Sequence, residues 1–239
     1  MTYKLPLLLI PGLVSTRLLW ESQVNDLSDI ADCWIAPIPP YDDFRTMARE
    51  ILANAPERFA MAGHSMGGYL CFEILRLAPQ RVLGLGLFST TVERDTPQIS
   101  RRRAAMMADV KTKGYLPMIR ENAPRFVVDN SRGKQVVEMM VKQAFEVGQS
   151  AFCMHQSAAI RRTGYDDVPG RIDCPTLVLA GKQDKITRTS VQRRIAKQIP
   201  GAEFHAIDGS AHMFTMEKSE ETNRLMRRWL IGQELALAA

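Results

Sequence analysis

Residues Gly63-His64-Ser65-Met66-Gly67 constrain the fold of this chain more than any other segment. They read Gly-x-Ser-x-Gly, between an apolar run at 58–62 and a helical pattern that starts near Gly68. Strand, sharp turn and helix in that order lift a serine hydroxyl out of a sheet edge. The serine backbone in such a turn is strained, and strand and helix come so close that side chains at 63 and 67 would clash. The turn also sets the amide of Met66 at a helix start, where it can donate to a developing negative charge.

The rest of the chain alternates strands and helices around this turn, and its 239 residues suit one α/β domain with a large core. Residues 5–11 read as a fully buried strand ended by Pro11-Gly12, and 32–38 as a second, closed by Pro39-Pro40. A helix over 46–55 places Met47, Ile51 and Leu52 on one side and leads into the strand at 58–62. The pattern continues with a helix at 68–77 and an apolar strand at 82–88. Alternation then stops. From about 92 to 165 the periodicity is helical, with stripes such as Ala104, Met107, Val110 and Val136, Met140, Phe145. Strands resume at 175–181 and 203–207, with a helix at 190–198 between them and an amphipathic helix at 217–231 to close. Continuous apolar strands alternating with helices predict a mostly parallel sheet covered on both faces. Residues 1–91 and 166–239 form the expected core. Residues 92–165 form a helical cap inserted after the strand at about 82–88.

Composition narrows the functional classes. An apolar share of 46% with 24% charged residues is that of a soluble globular protein. The formal charge of +5 is scattered, and the run Arg101-Arg102-Arg103 reads as a solvated helix face. Without a longer basic stripe carrying aromatics, nucleic acid is not an expected partner. Cys33, Cys71, Cys153 and Cys174 lie far apart with no Cys-x-x-Cys pair, which points to free thiols in a reducing, cytoplasmic compartment. Lys4 and the apolar residues 5–10 resemble a short signal-peptide core. No small-residue cleavage site follows, and a buried strand is the better use of the run. No stretch is long enough to span a bilayer. No Cys/His/Asp cluster has ligand spacing, so neither a metal nor an organic cofactor is expected.

A serine hydroxyl is a poor nucleophile at neutral pH and needs a base, usually a histidine oriented by a carboxylate. The chain has four histidines. His64 adjoins Ser65 inside the turn, so its side chain should point elsewhere, into packing. His155 falls in the helical insertion, lining a pocket or facing solvent, and His205 lies in the last strand. His212 sits in the loop Asp208-Gly209-Ser210-Ala211-His212, just beyond that strand. Loops at the carboxyl edge of a parallel sheet build sites, which makes His212 the candidate base. The same rule selects Asp184, directly after the strand at 175–181, as the orienting carboxylate, with Asp95 as its rival. Asp208 is too near His212 in the chain and reads as a turn residue.

Taken together, the first strand with its Gly12 turn, the Ser65 turn, residues 174–181 leading to Asp184, and the Gly209-Ser210-Ala211-His212 loop resemble an α/β-hydrolase. The likeness is to the small cap-bearing serine hydrolases, which include carboxylesterases, enol-lactonases and carbon–carbon bond hydrolases, and it covers nearly the whole chain. It implies Ser65 as nucleophile, His212 as base and Asp184 as its acid, with an oxyanion hole from the backbone N–H groups of Leu13 and Met66. Relatives usually carry His-Gly where this chain has Pro11-Gly12, a change that removes local hydrogen bonding from the loop but leaves a donor at Leu13. Serine at the turn counts against dehalogenase and epoxide hydrolase chemistry, for which the resemblance implies aspartate.

The expected reaction is hydrolysis of small to medium, largely apolar carboxylic esters through an acyl-enzyme on Ser65. Lactone opening or diketone cleavage on the same residues is the alternative, and a non-catalytic ligand-binding receptor a third. The insertion should roof the acyl pocket. Of its Met106, Met107, Met118, Met139, Met140, Met154, Phe126, Phe145 and Phe152, most fit helical spacing as cap core. Arg161 and Arg162 end the insertion; they could meet a substrate carboxylate, but a solvated helix end is the preferred reading.

Overall fold

Six strands, β1 (Leu5–Ile10), β2 (Ala31–Ile35), β3 (Phe59–His64), β4 (Val82–Phe88), β5 (Thr176–Gly181) and β6 (Glu203–Ile207), form one sheet. Their order is β2-β1-β3-β4-β5-β6, and every pairing is parallel. The structure, a computed structural model, describes the backbone of residues 4–237 and the side chains of residues 4–232.

Side chains alternate across a strand, so a parallel sheet with two apolar faces must be covered on both. Leu8, Ile10, Phe59, Met61, Leu85 and Val178 join one buried cluster. Leu7, Leu9, Ala60, Ala62, Leu177 and Leu179 join another. The first is closed by α2 (Phe44–Asn54), α3 (Met66–Leu77) and α7 (Thr189–Gln198), which bring Met47, Ile51, Leu70, Ile74 and Ile195. The second is closed by α1 (Glu21–Leu27), α8 (Phe214–Glu217) and α9 (Ser219–Leu237), with Leu27, Phe214, Leu225 and Met226. Between β4 and β5 lie α4 (Pro97–Lys113), α5 (Tyr115–Asn122) and α6 (Ser131–Arg161), the last interrupted at Gly148. These three share a small core of their own around Val110, Met118, Ile119 and Phe152.

The structure departs from the sequence expectations at several boundaries. Helix α1 was not predicted: its segment is mostly polar, and its buried Gln23 is stabilised by bonds to the Thr215 carbonyl and Asn223 rather than by apolar contact. β2 stops at Ile35; Ala36 still donates to Leu9, but Pro37 has no N–H to continue the ladder. α2 starts at Phe44 because the Asp43 carboxylate accepts from the Thr46 amide at 2.8 Å. α3 starts directly after Ser65, so its two glycines lie in its first turn.

β1 leads outward to β2 on one side, whereas β3 and all later strands extend the sheet the other way. The order therefore reverses between β1 and β3, and a crevice opens at their carboxyl ends. Close packing holds that point together. A Cβ on Gly67 would overlap the Ile10 carbonyl oxygen, and one on Gly63 would run into the Gly67 carbonyl. Both obstructions are backbone and cannot rotate away. Gly67→Ala is expected to destabilise the fold by at least about 2 kcal/mol, measured by urea unfolding; an unchanged midpoint would contradict this packing.

Candidate active site

Ser65 follows β3 with φ 54° and ψ −112°, left-handed backbone that a side chain rarely adopts. Its neighbours over-determine the conformation. The Ser65 amide donates to the Phe88 carbonyl at 2.8 Å, while its carbonyl accepts from the Gly68 amide at 3.0 Å and the Thr90 hydroxyl at 2.8 Å. The side chain is left half-buried on the wall of a cavity of about 440 Å³.

Asp184 and His212 come from the ends of β5 and β6, and both are buried. Asp184 divides its oxygens. Oδ1 accepts from the amides of Ile186 at 2.7 Å and Thr187 at 3.0 Å, and Oδ2 faces His212 Nδ1 at 2.8 Å. Burial alone would raise this carboxyl; the His212 imidazole and the Thr187 amide outweigh it and hold the group below its ordinary range. A carboxylate can only accept, so His212 carries its proton on Nδ1 and its lone pair on Nε2. His212 lines the same cavity as Ser65. Among the described residues no hydrogen bond joins the two side chains, a gap of the kind that tightens when substrate binds.

Leu13 and Met66 line this cavity too, and neither amide meets an acceptor among the described residues. The Met66 amide begins the 12-residue helix α3, whose dipole adds positive potential there. The loop after β1, which carries Pro11-Gly12, is held by two bonds. Ser15 donates to the Gly12 carbonyl at 3.2 Å, and buried Gln143 of α6 accepts from the Thr16 amide at 2.9 Å.

Sequence reasoning missed two side chains that fix the His212 loop. His64 is buried, with Nε2–H donating to the His212 carbonyl at 2.8 Å. Burial, then the neighbouring His212, holds its pKa down to about 3, so it stays neutral. Glu217 ties the loop to the helical insertion, accepting from the Ala211 amide at 2.8 Å and the Val128 amide at 2.7 Å. Nothing in a lone glutamate, here the last residue of the short helix α8, signals that task.

The other candidates lie elsewhere. Asp95 is occupied by Arg103 at 2.5 Å and Arg162 at 2.7 Å. Asp208 is exposed and caps its own turn at the Gly209 amide. His155 is buried on the Pro39 carbonyl beside a separate cavity of about 670 Å³, and His205 pairs with Glu203 and Arg228. The solvated helix end holds for Arg161, exposed and paired with Asp42, but not for Arg162, whose side chain is 2% exposed. Met106, Met140, Phe126 and Phe152 reach the cavity, whereas Met118 is buried and Met154 and Phe145 are exposed. Burial pushes the Cys33 and Cys174 thiols up to about 11, away from the thiolate a nucleophile requires. Among the described residues no group of three His, Cys, Asp or Glu side chains could hold a metal ion, and no helix is long and apolar enough to cross a membrane.

A family model described as "Serine aminopeptidase, S33" matches residues 40–219. The chain belongs to this α/β-hydrolase family. Esterase YbfF of Escherichia coli is 23% identical over 94% of this chain and 92% of its own length. A thermophilic esterase from Thermogutta terrifontis superposes with a TM-score of 0.85 at 24% identity, over 98% of this chain and 92% of that one. The enol-lactonase from Burkholderia xenovorans gives 0.84 at 18%, over 96% and 92%. At these identities the superpositions establish the shared fold, an α/β-hydrolase sheet with the helices of 97–161 inserted between β4 and β5.

Two measurements probe the site's energetics. The left-handed Ser65 backbone costs about 1–3 kcal/mol, a strain that glycine relieves and alanine retains. Ser65→Gly is therefore expected to unfold at higher urea than Ser65→Ala, and the reverse order would contradict it. Asp184 lies below its ordinary value of 3.8, so in acid the unfolded chain binds more protons than the folded one. Its stabilisation is present above that value and lost as pH falls through the depressed one. Asp184→Asn should flatten the acid limb of the stability–pH curve, and an unchanged limb would count against the pairing.

Proposed function

We propose that this protein is a serine hydrolase that cleaves carboxylic esters of small to medium, largely apolar acyl groups through an acyl-enzyme on Ser65. The observation that carries the reading is the buried His212–Asp184 pair at 2.8 Å, opening onto one cavity with Ser65 and two amides that lack acceptors. The esterases among its relatives support the same chemistry.

In this mechanism the ester carbonyl sits over Ser65 with its oxygen toward the Leu13 and Met66 amides. Ser65 Oγ attacks the carbonyl carbon as His212 Nε2 takes the hydroxyl proton, and Asp184 stabilises the resulting imidazolium. The oxyanion collapses, the bond to the alcohol oxygen breaks, and His212 returns its proton to that oxygen. Water then adds to the acyl-enzyme by the same steps, releasing the acid and restoring Ser65. Each amide contributes on the order of 3 kcal/mol to stabilising the oxyanion. A lactone would follow the same course, its alcohol remaining attached to the acyl chain.

Residues 92–165 serve as the cap over this site, with Met106, Met140, Phe126 and Phe152 supplying adaptable apolar surface for the acyl chain. The four free cysteines suit a reducing, cytoplasmic setting. Ser65→Ala should abolish turnover of 4-nitrophenyl esters, and Asp184→Asn should lower kcat by roughly 10³–10⁴, both with intact circular dichroism. Full activity in Ser65→Ala would overturn the reading.

A further inference from the structure

Arg162 sits at the end of α6 with its side chain 2% exposed, and it lines the cavity that holds Ser65. Its guanidinium lies 4.0 Å from the ring centroid of Tyr69, one turn beyond Ser65 along α3. Nη1 donates to Asp95 Oδ1 at 2.7 Å and to the Ala159 carbonyl at 2.9 Å, and Nη2 to the Glu93 carbonyl at 2.7 Å. Nε is buried without a partner. Arg103 approaches the same carboxylate from α4, with Nε 2.5 Å from Asp95 Oδ2 and Nη1 donating to Gln156 at 2.8 Å. Arg103 is 19% exposed, also lines the cavity, and among the described residues its Nη2 has no acceptor.

One buried carboxylate thus serves two guanidinium groups, leaving one positive charge uncompensated in the cavity wall. Burying such a charge is costly unless an anion answers it, and apolar residues of like size would hold these helices together at least as well. The mouth carries the same sign. Arg94, Arg102, Arg125, Lys185 and Arg188 line it with no ion-pair partner among the described residues. Glu93, the other acidic lining residue, is occupied by Arg194. The lining of the same cavity also includes apolar side chains, Met106 and Phe152 among them.

We infer that the preferred substrates are esters whose apolar acyl chain ends in a carboxylate, which docks on the free Nη2 edge of Arg103, with the buried Arg162 behind it adding positive charge. Tyr69 lies four residues past Ser65, a helical rise of about 6 Å, so a chain of a few carbons separates the carboxylate from the scissile carbonyl. The cationic mouth draws such an anion in. The inference deepens the esterase reading above and rests on it, but the anion site is testable without turnover.

The first arm compares two esters with the same five-carbon acyl backbone, 4-nitrophenyl hydrogen glutarate and 4-nitrophenyl pentanoate. The acidic ester is expected to have a kcat/KM higher by at least about tenfold, carried by KM, and the preference should collapse in Arg103→Gln and fade as salt is raised. Equal kcat/KM for the two esters in the unaltered protein would overturn the inference while leaving the hydrolase reading intact. The second arm measures binding of glutarate and of neutral dimethyl glutarate to Ser65→Ala by calorimetry. Glutarate should bind at least about tenfold more tightly than the diester, with the advantage lost on Arg103→Gln. Equal or absent binding of both would overturn the anion site. Selective glutarate binding with neither nitrophenyl ester turned over would support the anion site and reject the esterase reading.

Discussion

Where α3 begins, its Gly67 backbone lies against the carbonyls of Ile10 and Pro11 at the end of β1. That contact is closer than any side chain permits, and it brings together the two strand ends flanking the reversal of strand order. Three features of the site follow from it. Ser65 is driven into left-handed backbone and presents its hydroxyl to the crevice. The Met66 amide is placed at the first position of a helix, where no carbonyl precedes it to accept. The Leu13 amide, one residue beyond Gly12, comes to line the same cavity. Fold and candidate chemistry share one backbone contact.

The opposite side of the site is held by hydrogen bonds rather than by close packing. The loop after β6 has little apolar content, and its conformation depends on buried polar partners. Gln183 exchanges two bonds with Ser210, one through its amide to the Ser210 carbonyl and one through Oε1 to the Ser210 amide. Glu217 receives the Ala211 amide, and His64 donates to the His212 carbonyl. Asp184 then orients the ring itself. His64, Asp184, His212 and Glu217 are buried, so losing one partner strands another, and the loop behaves as a cooperative unit.

Much of the architecture was legible in the sequence because it rests on short-range patterns. Continuous apolar runs marked the central strands, and Gly63, Ser65 and Gly67 marked the turn through their size. Elements governed by distant partners were not legible. Helix α1 buries Gln23 against Thr215 and Asn223, some two hundred residues away, and reads locally as a polar loop. His64 was assigned to packing, and its donor role depends on where the His212 carbonyl comes to rest. Arg162 read as a solvated helix end because its burial under α4, against Asp95 and Tyr69, exists only in three dimensions. Ser65 was marked by its turn and His212 and Asp184 by the edge-of-strand rule, and the structure places Ser65 and His212 on one cavity with Asp184 buried behind His212. It gives Asp95 to two arginines instead.

The central claim is that the Ser65 hydroxyl is the reacting group and that His212 activates it. Labelling with a fluorophosphonate, followed by peptide mass mapping, addresses it most directly, because the probe phosphonylates an activated serine whatever the natural substrate. A single adduct on the peptide containing Ser65 is expected, formed more slowly in His212→Ala by roughly three orders of magnitude. An adduct on any other residue, or an undiminished rate in His212→Ala, would contradict the account.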